Sequence, residues 1–176
     1  MSKPAIREAS PADGAALAAI YAPYVENTAI SFEEAAPGAD AMAMRIADQH
    51  ADLPWLVAEA GGDILGYAYA APYHPRAAYR YTIETTVYVG DAARGRGIGR
   101  DLYRALLERL DGGGLHMAVA LIALPNPASV ALHAATGFSS AGILREVGFK
   151  FGAWHDVGFW QRPLGGEAAS LGRPRG

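Results

Sequence analysis

Three sets of residues in this sequence could do chemistry. Glu84 stands in the middle of the strand-like run YTIETTVYV. Side chains alternate along a strand, so Glu84 shares a face with Thr82, Thr86 and Tyr88, opposite Ile83, Thr85, Val87 and Val89. A carboxylate on such a polar face suits a general base, although a solvated strand face also satisfies the pattern. The second set is the turn RGRGIG at residues 94–99, within YVGDAARGRGIGRDLY. Glycines between a strand and a helix let backbone N–H groups converge, and the helix N-terminus adds partial positive charge, so the turn is a potential anion cradle. Arg94, Arg96 and Arg100 flank it. It lacks the offsets of the dinucleotide fingerprint and the Lys-Ser/Thr of the phosphate loop. The third set is Asn126, Ser129 and His133 in NPASVALHAATG. Asn126 can cap a helix that carries His133 on a partly exposed face, where a neutral imidazole can relay a proton or orient a water.

These residues need elements to hold them. PAIREA reads as a short strand, and Ser10 and Pro11 open a helix that Pro23 should bend or shorten. Asp40 is expected to cap a second helix, with Met42 and Ile46 on one face. WLVAEA and ILGYAYAA flank GGD, a hairpin pattern. YTIETTVYV follows as a strand. Ile98, Leu102, Leu106 and Leu110 recur every fourth residue, with Leu107 widening the stripe, so a helix with one buried face follows the glycine turn. LHMAVALIAL reads as a strand covered on both faces. Pro127 starts and Gly137 ends the next helix. The rest, FSSAGILREVGFKFGAWHDVGFWQRPL, predicts two strands with a bend at FGAW and with Trp154, Phe159 and Trp160 in the core. The order is β, two helices, β-hairpin, β, helix, β, helix, β, β, which is a mixed α/β layer in one domain over residues 1–164. Residues 165–176 read as a flexible tail.

Composition narrows the function. With 176 residues, half of them apolar, the chain can bury a real core. A net charge of −3 gives nucleic acid no global attraction. No cysteine is present, which excludes disulfides and cysteine-based nucleophiles or metal sites. His155 and Asp156 are too few for a metal site, so no metal is expected. The N-terminal residues lack the apolar core of a signal peptide, and no run is apolar enough for a membrane span. A cytoplasmic location with no membrane partner is the expectation.

Arg94-Gly95-Arg96-Gly97-Ile98-Gly99 resembles the R/Q-x-x-G-x-G/A signature of the GNAT N-acetyltransferases. With IETTVYV before it, LPNPASVALHAATGF after it and KFGAWHDVGFWQR near the end, the chain is similar to the phosphinothricin and methionine sulfoximine N-acetyltransferase subfamily over roughly residues 4 to 164. The resemblance implies the GNAT fold, a mixed and mostly antiparallel sheet splayed open where acetyl-CoA binds. It implies that the loop amides and flanking residues 94–100 hold the coenzyme pyrophosphate. Val87, Tyr88 and Val89 would pair with the pantetheine as an added strand, and Asn126 and Ser129 would touch it. Glu84 would be the general base, acting directly or through water, with His133 near it as a second catalytic group. Phe32, Tyr73, His74, Pro75, Arg76, Tyr79, Thr85 and Thr86 would line the acceptor pocket, with Arg76 suited to a carboxylate or phosphinate. The implied acceptor is the α-amine of an amino-acid-like molecule, the implied assembly a homodimer, and antibiotic or herbicide resistance one implied use. Three other readings stand beside it: acetylation of a protein N-terminus or other amine, a non-catalytic acyl-CoA sensor, and a nucleic-acid binder.

Overall fold

The computed structural model describes residues 4–49 and 53–165. The tail expected at residues 165–176 lies, beyond Gly165, outside the described residues. Seven strands and four helices follow the predicted order: β1 (Ala5–Glu8), α1 (Gly14–Asn27), α2 (Ala39–Ala47), β2 (Trp55–Ala60), β3 (Asp63–Pro72), β4 (Thr82–Val89), α3 (Ile98–Leu110), β5 (Met117–Leu124), α4 (Pro127–Ala135), β6 (Ser139–Lys150) and β7 (Ala153–Pro163). They form one sheet in the order β1-β2-β3-β4-β5-β7-β6. Among the described residues only the central pair β4–β5 is parallel, and it pairs over just Thr82 to Glu84 against Met117 to Val119. Past Glu84 the two strands part.

The sheet separates two cores. On one face α3 buries Ile98, Leu102, Leu106 and Leu110 against Ile83, Ala118, Ala120 and Ile122, as its four-residue stripe predicts. On the other face α1 and α2 bury Leu17, Tyr21, Tyr24, Met42 and Ile46 against Trp55, Val57 and Tyr67. Gly61 and Gly62, both at positive φ, close the β2–β3 hairpin.

Several local expectations are corrected. Pro23 lies inside α1 without ending it, and the helix runs on to Asn27. The N-cap of α2 is Gly38, and Asp40 sits in its first turn, where its charge still favours the helix dipole. Residues 11–13 form a 3-10 turn ahead of α1, held by Asp13, which accepts the Ser10 amide at 2.7 Å and a forked pair from Arg7 at 2.8 Å each. The guanidinium of Arg7 holds the Asp13 carboxyl down at about 2. β5 is not covered on both faces, because Leu121 is 42% exposed. Trp154 is no core residue: it is 61% exposed, whereas Trp160 is buried. Among the described residues no helix is long and apolar enough to cross a membrane.

Leu106 is fully buried between α3 and the sheet. Leu106→Ala should lower unfolding stability by about 2–5 kcal/mol, measured by urea denaturation, with an unchanged m-value.

Candidate active site

The parting of β4 from β5 opens a cleft. It is lined by Thr85, Thr86, Val87 and Tyr88 of β4, Leu121 to Ala123 of β5, Asn126, Ser129 and His133 of the α4 segment, and Ile30 from the α1–α2 connection. Main-chain direction along β4 decides which groups look into it. The Thr82 carbonyl accepts the Tyr73 amide, and the Gly90 amide donates to the Leu65 carbonyl, so even positions face β3. Odd positions face the cleft. Val89 is closed there, since the Tyr24 hydroxyl donates to its carbonyl at 2.6 Å and accepts its amide at 3.3 Å. The main-chain groups of Val87 therefore remain on offer for an added strand. Tyr88, expected to pair with the coenzyme, instead belongs to the ladder opposite Tyr67, and its ring packs on Tyr21 and Tyr24.

The cleft ends at the glycine turn. Gly97 is the N-cap of α3 at φ 81°, and Gly95 is at φ 73°, a left-handed backbone that side chains disfavour. The turn is thereby free to present its amides at the start of α3. Arg94 is committed elsewhere: it pairs with Asp91 at 2.7 Å and stacks over Tyr24. Arg96 and Arg100 are exposed and form no ion pair among the described residues, which leaves them to meet a phosphate. Asn126 Oδ1 accepts the Ser129 amide at 3.1 Å, so it caps α4 and keeps its amide nitrogen for the cleft. Together, an unpaired strand edge, a helix N-terminus and two uncommitted arginines fit the pantetheine and pyrophosphate of acetyl-CoA.

Glu84 is half-buried at the last paired position before the strands part. It forms no hydrogen bond or ion pair among the described residues, and burial alone raises its pKa. A carboxylate that is dry and unpaired is well placed to accept a proton. His133 departs from expectation. It is buried, at 4% exposure, and both ring nitrogens are engaged. Its Nδ1 lies 2.7 Å from the Ser129 carbonyl, which only accepts, so Nδ1 carries the proton and Nε2 accepts the Tyr103 hydroxyl at 2.9 Å. Tyr103 in turn meets the Thr85 hydroxyl at 2.6 Å. Burial lowers the His133 pKa, keeping the ring neutral.

This chain relocates two expected residues. Thr85 is 3% exposed on the α3 face, drawn from the acceptor pocket by Tyr103. His133 hangs on that same face with Thr85, and no hydrogen bond joins it to Glu84, whose strand position points to the α1–α2 face. Thr86 keeps its place beside Glu84. Tyr103 was not expected from sequence; its place in the α3 stripe reads as core, and only a buried hydroxyl needing a partner hints at more. In the β3–β4 loop Tyr73 packs edge to face on Tyr79, His74 lies tilted against Tyr79, and the His74 ring accepts the Arg76 amide at 3.2 Å. Tyr73 and Tyr79 line a groove with Thr82, Val119 and Gln161 on the Glu84 face. Arg76 is exposed in the same loop, with Pro75 before it. Phe32 packs its ring onto Gly148 of β6 and lies 6.0 Å from the His155 ring. Among the described residues no cluster of ligating side chains could hold a metal ion.

Residues 6–158 match the model of the acetyltransferase (GNAT) domain. The chain belongs to the GNAT acetyltransferase family. It is 48% identical over 151 residues to a phosphinothricin N-acetyltransferase of Alcaligenes faecalis, covering 85% of this chain and 77% of that one. It is 42% identical over 161 residues to an L-methionine sulfoximine/L-methionine sulfone acetyltransferase of Pseudomonas paraeruginosa, covering 90% and 94%. The crystal structure of a GNAT superfamily phosphinothricin acetyltransferase from Sinorhizobium meliloti, in complex with AcCoA, superposes with a TM-score of 0.91 at 36% identity, covering 99% and 94%. This GNAT protein is an acetyl-CoA-dependent N-acetyltransferase.

A Cβ on Gly99 would point between Val89 and Leu132 at ordinary contact distances. Gly99→Asp therefore sets a negative charge in the first turn of α3, beside the glycine turn, at a position that needs no positive φ, unlike Gly97. Acetyl-CoA affinity should fall at least tenfold by calorimetry, with the circular dichroism spectrum unchanged. For His133, nuclear magnetic resonance should find the Nδ1–H tautomer and a pKa below the ordinary 6.5. The depressed value means that the unfolded state binds more protons, so the ring contributes stability above about 6.5 that is lost on acidification. Tyr103→Phe removes the donor to Nε2 and should raise the His133 pKa.

Proposed function

We propose that this enzyme moves the acetyl group of acetyl-CoA to the α-amine of a small amino-acid-like acceptor of the phosphinothricin or methionine sulfoximine class. The observation that carries this reading is Glu84: an unpaired carboxyl of raised pKa, set where β4 and β5 part, on the same sheet face as Thr82 and the groove below the β3–β4 loop. An amine reaches the enzyme mostly as an ammonium ion, which has no lone pair. Glu84 takes its proton, directly or through a water. Bound in the cleft, acetyl-CoA supplies the acetyl group as an activated thioester. Val87 offers the main-chain N–H on the cleft side that can polarise a carbonyl there. His133, with both nitrogens engaged, holds α4 against β4 through Tyr103 rather than taking the amine proton. Arg76, free of ion pairs among the described residues, is the group to meet the acidic end of the acceptor, with Tyr73, His74, Tyr79, Thr86 and Phe32 around it.

We further propose a homodimer. The β6–β7 hairpin exposes Ile143, Leu144, Val147, Phe149, Phe151 and Trp154, each at least 43% open, along one long edge of the sheet. So much contiguous apolar surface favours a covered face, and a second copy, pocket side by side with pocket, is the occupant we expect. Its compartment would be the cytoplasm, which supplies acetyl-CoA.

The test is thiol release from acetyl-CoA across amino-acid analogues, with glutamate and methionine as controls; turnover with none of the analogues overturns the reading. Glu84→Gln should lower turnover at neutral pH by about 10²–10⁴-fold, with acetyl-CoA binding nearly unchanged. In the wild type, activity should rise with pH through a step above the ordinary carboxylate value of 4.5. The same raised pKa has a second sign: the folded state binds more protons, so ionised Glu84 weakens the fold as pH rises. Glu84→Gln should therefore melt higher than wild type at pH 7, and the gain should vanish near pH 4.

A further inference from the structure

The catalytic reading leaves one buried cation without a task. Lys150, at the end of β6, is 7% exposed. Its ammonium donates to the Val25 carbonyl at 2.5 Å and the Ser31 carbonyl at 2.7 Å, with the Phe151 ring 4.9 Å away. No carboxylate pairs with it among the described residues. Burying an ammonium against carbonyls alone is costly, and an apolar side chain of similar length would serve packing better. The two carbonyls say what it holds. Val25 lies in the last turn of α1, whose carbonyls have no helical partner. Ser31 lies in the connection that follows, directly before Phe32.

The connection is gripped on its other side too. The Ser31 hydroxyl meets the Tyr21 hydroxyl at 2.6 Å, Tyr21 donates to Glu33 at 3.0 Å, and Arg45 forks onto Glu33 at 2.8 and 2.9 Å. Ile30 of this connection reaches the cleft beside Thr86 and Tyr88. Phe32 lies on Gly148 so closely that a Cβ there would stand 2.2 Å from its ring. The position of Gly148 and Lys150 is itself set by an irregularity in β6, where pairing slips between Leu144 and Gly148. Asp156 staples that slip by accepting the Glu146 amide at 2.9 Å and the Arg145 guanidinium at 2.5 Å.

We propose that Lys150 is a positioning residue for the acceptor: its ammonium latches residues 28–34 to the β6–β7 hairpin and so fixes Ile30 and Phe32 against the site. This rests on the acceptor reading above. Lys150 touches neither substrate. It acts through the Ser31 carbonyl, and Gly148 acts through the space it leaves for Phe32. Lys150→Met keeps the stem and removes the donor; Gly148→Ala keeps the donor and displaces Phe32.

The experiment measures both variants for acceptor KM, turnover at saturating acceptor, acetyl-CoA affinity by calorimetry, and amide hydrogen exchange. Wild-type turnover with the analogues, measured first, tests the acceptor reading by itself. Lys150→Met should exchange faster across residues 28–34 while α3 stays protected. Both variants should raise acceptor KM at least tenfold with turnover within about threefold of wild type; Gly148→Ala should leave acetyl-CoA affinity within about threefold, and Lys150→Met, which also frees Ile30 at the cleft, should lower it less than it raises acceptor KM. Unchanged exchange across 28–34 in Lys150→Met overturns the latch. Faster exchange with an unchanged acceptor KM overturns its role in acceptor binding. If Lys150→Met does not fold, Gly148→Ala decides: an unchanged acceptor KM, or equal losses for both substrates, overturns the proposal.

Discussion

Everything at this site follows from three residues of parallel pairing. Thr82 to Glu84 bind β4 to β5, and beyond them the ladder stops. β3 continues to pair with β4 up to Val89, so β4 is rigid on one side and unpaired on the other. On the far wall, β5 stays with β7 through Leu124. The cleft is thus a gap between two well-paired half-sheets rather than a loop pocket, and its width does not depend on any flexible segment.

That gap also sorts the ionisable groups. Glu84 stands at its apex, dry enough for its carboxyl to bind protons more tightly, with no cation to stabilise its charge. His133 stands on the opposite side of β4, inside a chain of hydroxyls and carbonyls that uses both its nitrogens. Two titratable groups of similar sequence prominence thereby receive different work. One is left unpaired and reactive, the other is fixed as a strut between α3, α4 and β4. The distinction comes from partners, not from residue type.

Regular spacing was legible beforehand. The α3 stripe, the glycine turn between hairpin strands, the Asn126 cap and the element order all come from local periodicity and local hydrogen bonding, and the folded chain keeps them. The face that Glu84 shares with Thr82 and Thr86 was legible too, by strand alternation, whereas its role as a base is implied by the resemblance and not by the pattern. What local pattern could not reach were contacts between distant segments. Trp154 looks like core by size, yet it stands at the exposed start of β7, beside the β6–β7 turn and beyond the part of the strand that the core covers. Tyr103 looks like stripe, yet its hydroxyl joins β4 to α4. Tyr88 looks available, yet strand parity turns its main chain toward β3, and Tyr24, from far back in the chain, closes Val89. The Lys150 ammonium meets carbonyls of α1 and the connection after it, a meeting that nothing in KFGAW announces.

The unfinished ladder of β4 has one more consequence. A row of main-chain donors and acceptors with no neighbour is what a stray β-strand from another polypeptide seeks, and sheets normally shield such rows with charge, irregularity or a cover. Here the row lies inside the sheet rather than at its rim, and it narrows to a closed apex at Glu84 and Val119. A peptide could dock only end-on, and its side chains would have to stand where Tyr24 and the α4 cap already lie. A thin chain without side branches meets no such obstacle. The open edge beside Val87 thus suits a slender, unbranched chain better than a polypeptide.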